Sequence, residues 1–146
     1  MTLDLLPDTE AFLSAWLRAQ SELAALVGDR VYTVLPEAKT WPLVRLVRVG
    51  GAPLATAEDS GLWADAPSFQ VDVWAARKAD VWKVTRTIQA LLATRIKGTH
   101  AALKVAGVTL GPTQYVPDAD VATPAQPRVI LTLDLIITPL PQGVTP

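Results

Sequence analysis

The sequence contains no cysteine. That absence excludes disulfides, thiolate metal sites and a cysteine nucleophile, and it is compatible with a reducing compartment. The fold must then be held by packing alone. Histidine occurs once, at His100 in GTHAAL, and no serine, carboxylate or cysteine around it forms a nucleophile–base arrangement. His100 therefore reads as a loop residue. Basic residues are not in excess either: 13 Lys and Arg stand against 14 Asp and Glu, a formal net charge of -1. Strong attraction to nucleic acid is disfavoured on that balance. No apolar run approaches the roughly 20 residues that span a bilayer. The N-terminal MTLDLLPDTEAF carries Asp4, Asp8 and Glu10 with no basic stretch ahead of an apolar one, so it does not read as a secretory signal. The expectation is a protein made in the cytoplasm, with no membrane association.

Loops for phosphate or metal are missing as well. Gly50-Gly51 is an isolated pair, and neither G-x-G-x-x-G nor its lysine-containing counterpart occurs. Asp118 and Asp120 in PDADV, and Glu58, Asp59 and Ser60 in AEDSG, supply fewer closely spaced oxygens than a hard-metal loop needs. Asp72 and Asp134 fall at strand positions that face away from the core, where the pKa tuning used in catalysis has no basis. No catalytic residue, cofactor or metal site is expected, and an enzyme is the least favoured class.

What remains is a chain of 146 residues, half of them hydrophobic and 18% charged, which fits a single domain over residues 1–146. From Asp8 to Val27, Phe12, Leu13, Trp16, Leu17, Leu23, Leu26 and Val27 recur at three- and four-residue spacing. The spacing predicts an amphipathic helix capped by Asp8 and ended by Gly28, with Ser14, Arg18, Ser21 and Glu22 on its wet side. RVYTVL reads as a short strand. PLVRLVRVGG reads as a second, ending at Gly50-Gly51. Arg45 and Arg48 are three apart and must point to opposite faces, so one of them is expected near the core. The stretch from about Gly51 to Pro67, rich in Pro, Gly, Ala and Asp, reads as a long hairpin loop.

FQVDVWAARKADVWKVTRTIQALL then changes period without a glycine or proline. Phe69, Val71 and Val73 form the core face of a strand, and Gln70, Asp72 and Trp74 its other face. Val81, Val84, Ile88, Leu91, Leu92 and Ile96 form a helical stripe with Trp82 at its margin and Gly98 as its stop. KVAGVTLGPTQYV is a strand placed towards a sheet edge by Pro112. RVILTLDLIITP is the clearest strand, with Val129, Leu131, Leu133, Leu135 and Ile137 on one side. The tail PLPQGVTP, residues 139–146, is expected to be extended.

The resulting expectation is an α+β domain: a mainly antiparallel mixed sheet with two amphipathic helices on one face. Two helices cover one side of such a sheet. The other side, with Asp72, Trp74, Thr132 and Asp134, is left to water or to a partner, and either is ordinary for an antiparallel sheet. Trp41, Arg45, Arg48, Trp63, Asp72, Trp74, Trp82 and Asp134 are the candidate contact residues, because aromatic and arginine side chains anchor most protein interfaces.

DRVYTVLPEAKTWPLVRLVRVGG followed by FQVDVWAARKADVWKVTRTIQALL resembles the tail terminator (tail completion) proteins of long-tailed bacteriophages. The likeness rests on an N-terminal helix, the strand start Arg30-Val31-Tyr32, a proline ahead of the hydrophobic strand Pro42 to Val49, and the strand Gln70 to Trp74 leading directly into a helix. It runs from about Asp8 to Thr138. The resemblance implies a virion protein forming a ring, commonly of six copies, at the head-proximal end of the tail tube. Its partners would be other copies of itself, the tail tube protein and a head-completion or connector protein, with DNA passing through the ring without specific binding. A head-tail joining or head-closure protein of the same neck is the alternative, and a cellular protein-binding module a more distant one.

Overall fold

The computed structural model describes residues 5–55, 63–121 and 124–140. Asp8 caps the first helix, α1 (Thr9–Arg18), its Oδ1 accepting from the Ala11 amide at 3.0 Å. The single helix expected over 8–27 is two: α1 ends at Arg18, and α2 spans Ser21–Val27. The phase of the apolar residues explains the break. Leu13 and Leu17 lie one turn apart, but Leu23 follows Leu17 by six residues, which in a continuous helix would turn it about 120° away from the core. Breaking at Ala19-Gln20 lets Leu13, Leu17, Leu23 and Val27 all reach the core with no exposed surface. The Gln20 side chain closes the break by donating to the Trp16 carbonyl at 3.0 Å. Ser14, placed on the wet side by the sequence reading, is buried and donates its hydroxyl to the Ala11 carbonyl.

Six strands follow: β1 (Val31–Tyr32), β2 (Leu43–Ala55), β3 (Trp63–Trp74), β4 (Gly98–Thr99), β5 (Leu103–Tyr115) and β6 (Arg128–Pro139), with α3 (Lys78–Thr94) between β3 and β4. They form one sheet in the order β1-β2-β3-β6-β5-β4, parallel only between β1 and β2. This is the α+β layer expected, with three helices where two were read. One contiguous core joins the helices to Val44, Leu46, Phe69, Val71, Val73, Leu131, Leu133, Leu135 and Ile137. The helical stripe of α3 is buried as read, and Ile96 is buried just beyond the helix end. Gly98 opens β4 instead of merely stopping the helix.

The largest departure from the sequence reading is the hairpin. Most of the stretch from Gly51 to Pro67 is not loop: β2 continues to Ala55, and β3 begins at Trp63, paired in register from Gly51↔Pro67 to Ala55↔Trp63. Gly50-Gly51 does not end the strand. It carries a bulge between Arg48 and Gly50, and Gly51 adopts φ +91, where a Cβ would meet the Ala66 carbonyl oxygen at 2.0 Å. Only glycine lets the two strands run on past that point. Glu58, Asp59 and Ser60 lie outside the described residues, as do residues 141–146 of the tail. β6 itself runs to Pro139. Pro112 sits in β5 at a register shift between Leu110 and Thr113, beyond the reach of the two-residue β4, so β5 is an edge strand there as its proline requires.

Candidate assembly surfaces

The two arginines of β2 point to opposite faces, as their spacing demands, and each meets an aspartate of β3. Arg48 is on the helix face. Its guanidinium grips Asp65 through two hydrogen bonds, at 2.5 and 2.8 Å, and Asp65 is 1% exposed. The same guanidinium reaches the Thr9 hydroxyl at 3.4 Å, while the Arg48 amide donates to Glu10 Oε2 at 2.9 Å. Hydrogen bonding to Asp65 holds the Arg48 pKa above its ordinary value, against the opposing effect of burial. Arg48 thus ties the hairpin to the first turn of α1, and Glu10 occupies a backbone donor of β2 that has no strand neighbour. Capping such a donor discourages indiscriminate edge pairing.

On the other face Arg45 pairs with Asp72, directly across the β2–β3 ladder, and Asp72 also accepts from Gln70 Nε2 at 3.0 Å. The Arg45 guanidinium stands 5.5 Å from the centre of the Trp74 ring. Trp74 is on the face expected of it, yet it is 1% exposed. The connection between β5 and β6 folds back beneath it: Trp74 Nε1 donates to Asp118 Oδ2 at 3.1 Å, and Arg128 reaches the same oxygen at 3.3 Å. Asp118 and Gln126 bridge through their backbones, and the Gln126 side chain donates to the Ala75 carbonyl at 2.5 Å. The reading that Asp72 and Trp74 would be exposed on this face is therefore corrected. The connecting segment covers the Trp74 end of the second face, and Asp118 serves as an internal acceptor.

The remaining candidates divide. Asp134 is exposed and accepts from the Ser68 hydroxyl at 2.5 Å. Trp82 is half-buried against Ala75, Val81 and Val129. Trp41 is half-buried beside Leu26, Ala75 and Val84 around a shallow cavity of about 270 Å³. Trp63 begins β3, and its side chain lies outside the described residues. Three apolar side chains missed by the sequence reading are exposed nearby: Val49 at the bulge, Leu54 on the hairpin and Ile136 on β6. Ile136 follows Asp134 by two residues and shares its outward side of β6, and Val49 alternates with the inward Leu46 and Arg48 at the unpaired bulge position. Among the described residues no three His, Cys, Asp or Glu side chains are grouped to hold a metal ion, and no helix is long and apolar enough to cross a membrane.

These surfaces are a polar upper sheet face, a braced hairpin and scattered apolar side chains, with no convergent set of reactive groups. The model of the family described as Tail completion protein gp17 matches residues 11–134. The chain belongs to this family. It is thus a structural protein of phage tails. A chain in a structure titled "Virion of native gene transfer agent (GTA) particle" shares the fold, with a TM-score of 0.61 and 17% identity over 89% of this chain and 92% of that one. No curated protein matches in sequence. Among the described candidates, Asp72 and Trp74 are buried within the chain, while Asp134 is exposed, as are the nearby Leu54 and Ile136.

Proposed function

We propose that the protein assembles as a ring, of six copies, that caps the head-proximal end of the tail tube, stops its growth and offers a new surface to the head-completion or connector protein. Membership of the tail completion family over residues 11–134 is the observation that carries this reading. The physics of the task agrees with it. A closed ring is built from heterologous contacts, each joining one patch to a different patch on the next copy. A cap acts sterically: docking occupies the growing edge of the tube, and the far surface lacks the pattern that a further tube subunit recognises. Asp134 and Ile136 on the open sheet face, with Leu54 on the hairpin, are the proposed partner-facing side chains of the described residues. Arg45, Asp72 and Trp74 support the sheet face, and Arg48 braces the hairpin from the helix face. DNA passes through the bore without sequence-specific contacts.

Growth of tubes from purified tail-tube subunits tests the proposal. Added protein is expected to give shorter tubes of bounded length, each blocked at one end, and to sediment with them. Unchanged growth without co-sedimentation would overturn the cap. Binding to the head-side complex while free tubes are ignored would move the assignment to a joining protein of the same neck.

A further inference from the structure

We propose that the segment following β6, residues 141–146, lies along the apolar groove between α1 and the β4–β5 turn of its own chain and straps the helix to the sheet. The inference goes beyond the ring reading and does not depend on it. The groove measures about 660 Å³, and its lining combines the small Ala11 and Ala15 with Phe12, Trp16, His100 and Leu103. Ala11 and Ala15 are exposed although they sit on a helix that packs on the sheet. The aromatic wall is fixed from within the chain. The Phe12 and His100 rings meet edge to face with centroids 5.0 Å apart, and His100 Nε2 donates to the Ile96 carbonyl at 2.7 Å.

The end of β6 aims the chain at this groove. Pro139 pairs with Leu103, and the Leu140 amide donates to the Ala102 carbonyl at 3.5 Å. Leu103 and Ala102 both line the groove, as does Ala101, which is next along the ladder. Facing follows from the same register. Ile137 and Leu103 belong to the core shared with α1, and residues two apart in a strand share a face. Pro139, and Pro141 after it, are thereby directed to the side on which α1 lies. Length suffices as well: α1 rises about 12 Å between Asp8 and Trp16 at 1.5 Å per residue, whereas six residues in polyproline II geometry span about 19 Å. The chemistry also matches. The segment PQGVTP holds two prolines and no charge, so Asp8, the carboxylate of the lining, neither draws nor repels it. Proline-containing extended segments suit aromatic-lined grooves because their backbone is largely fixed before docking and loses little freedom there.

Nuclear magnetic resonance of the isolated protein tests the strap. Backbone order parameters of Gln142, Gly143, Val144 and Thr145 are expected near about 0.85, the value of rigid backbone. Ala15→Arg fills the groove from an exposed helical position with a residue that keeps helix propensity, and it should lower them below about 0.6. Ending the chain at Leu140 should shift the amides of Ala11, Ala15 and Ala101 and the Trp16 indole, and leave those of β2 and β3 in place. Order parameters below about 0.6 in the unaltered protein, or groove resonances unmoved by the truncation, would overturn the proposal. Groove resonances that move on removal of residues 1–4, and not on the truncation, would overturn it in favour of that segment. Groove shifts that vary with protein concentration would show the segment entering another copy, and docking within one chain would fall. None of these measurements involves tail tubes, so each negative result leaves the ring reading standing.

Discussion

Replacing Trp74 with alanine is expected to lower the melting temperature of the isolated protein by roughly 8–16 °C, corresponding to about 4 kcal/mol, the range for removing a fully buried tryptophan. The side chain is among the largest buried in the molecule. Its loss leaves a cavity under the β5–β6 connection and takes one donor from Asp118, which among the described residues keeps Arg128 and the Asp120 amide. Trp74→Phe retains most of the apolar surface and should cost about 1–2 kcal/mol through the lost indole hydrogen bond. Thermal unfolding of the monomer decides between two roles for this residue. If Trp74 acted as a contact residue displayed to a partner, Trp74→Ala would leave the melting temperature unchanged and weaken only assembly.

A second large effect is expected at the hairpin brace. Asp65→Ala takes two charge-assisted hydrogen bonds from the Arg48 guanidinium, which is itself 29% exposed, and the loss is expected to cost about 1.5–3 kcal/mol. Amide hydrogen exchange should accelerate in 49–55 and 63–68, the strands that Arg48 holds against Thr9 and Glu10. Arg48→Met with Asp65→Leu removes both charges and fills similar space, and it should recover most of the lost stability. A double variant as unstable as Asp65→Ala would show that the cost arises from packing at the site and not from an uncompensated charge.

The layer architecture was legible because it follows from periodicity. Val129 to Ile137 alternate without interruption, and every inward residue of that set is buried. The stripe from Val81 to Leu92 likewise fixes which side of α3 faces the sheet. Arg45 and Arg48 were readable as a pair facing opposite ways, since three residues reverse direction in a strand. Failures occurred where geometry depends on residues distant in sequence. The hairpin was read as loop because glycine, proline and alanine have poor strand propensity, yet the bulge at Arg48/Gly50 and the cross-strand ladder extend it to Ala55. Burial of Trp74 depends on Asp118, 44 residues away, and nothing local to either residue announces their meeting. The break at Ala19-Gln20 is carried by the six-residue gap between Leu17 and Leu23, a signal that a single apolar face over 8–27 hides.

The proposed ring at one end of the tube has a direct structural signature. Electron microscopy of assembled particles, with the chain tagged after Pro146, tests it most directly. The account predicts a single ring of tagged density at the head end of each tube and nowhere else. Tagged density spread along the tube, confined to the opposite end, or missing from finished particles would contradict it.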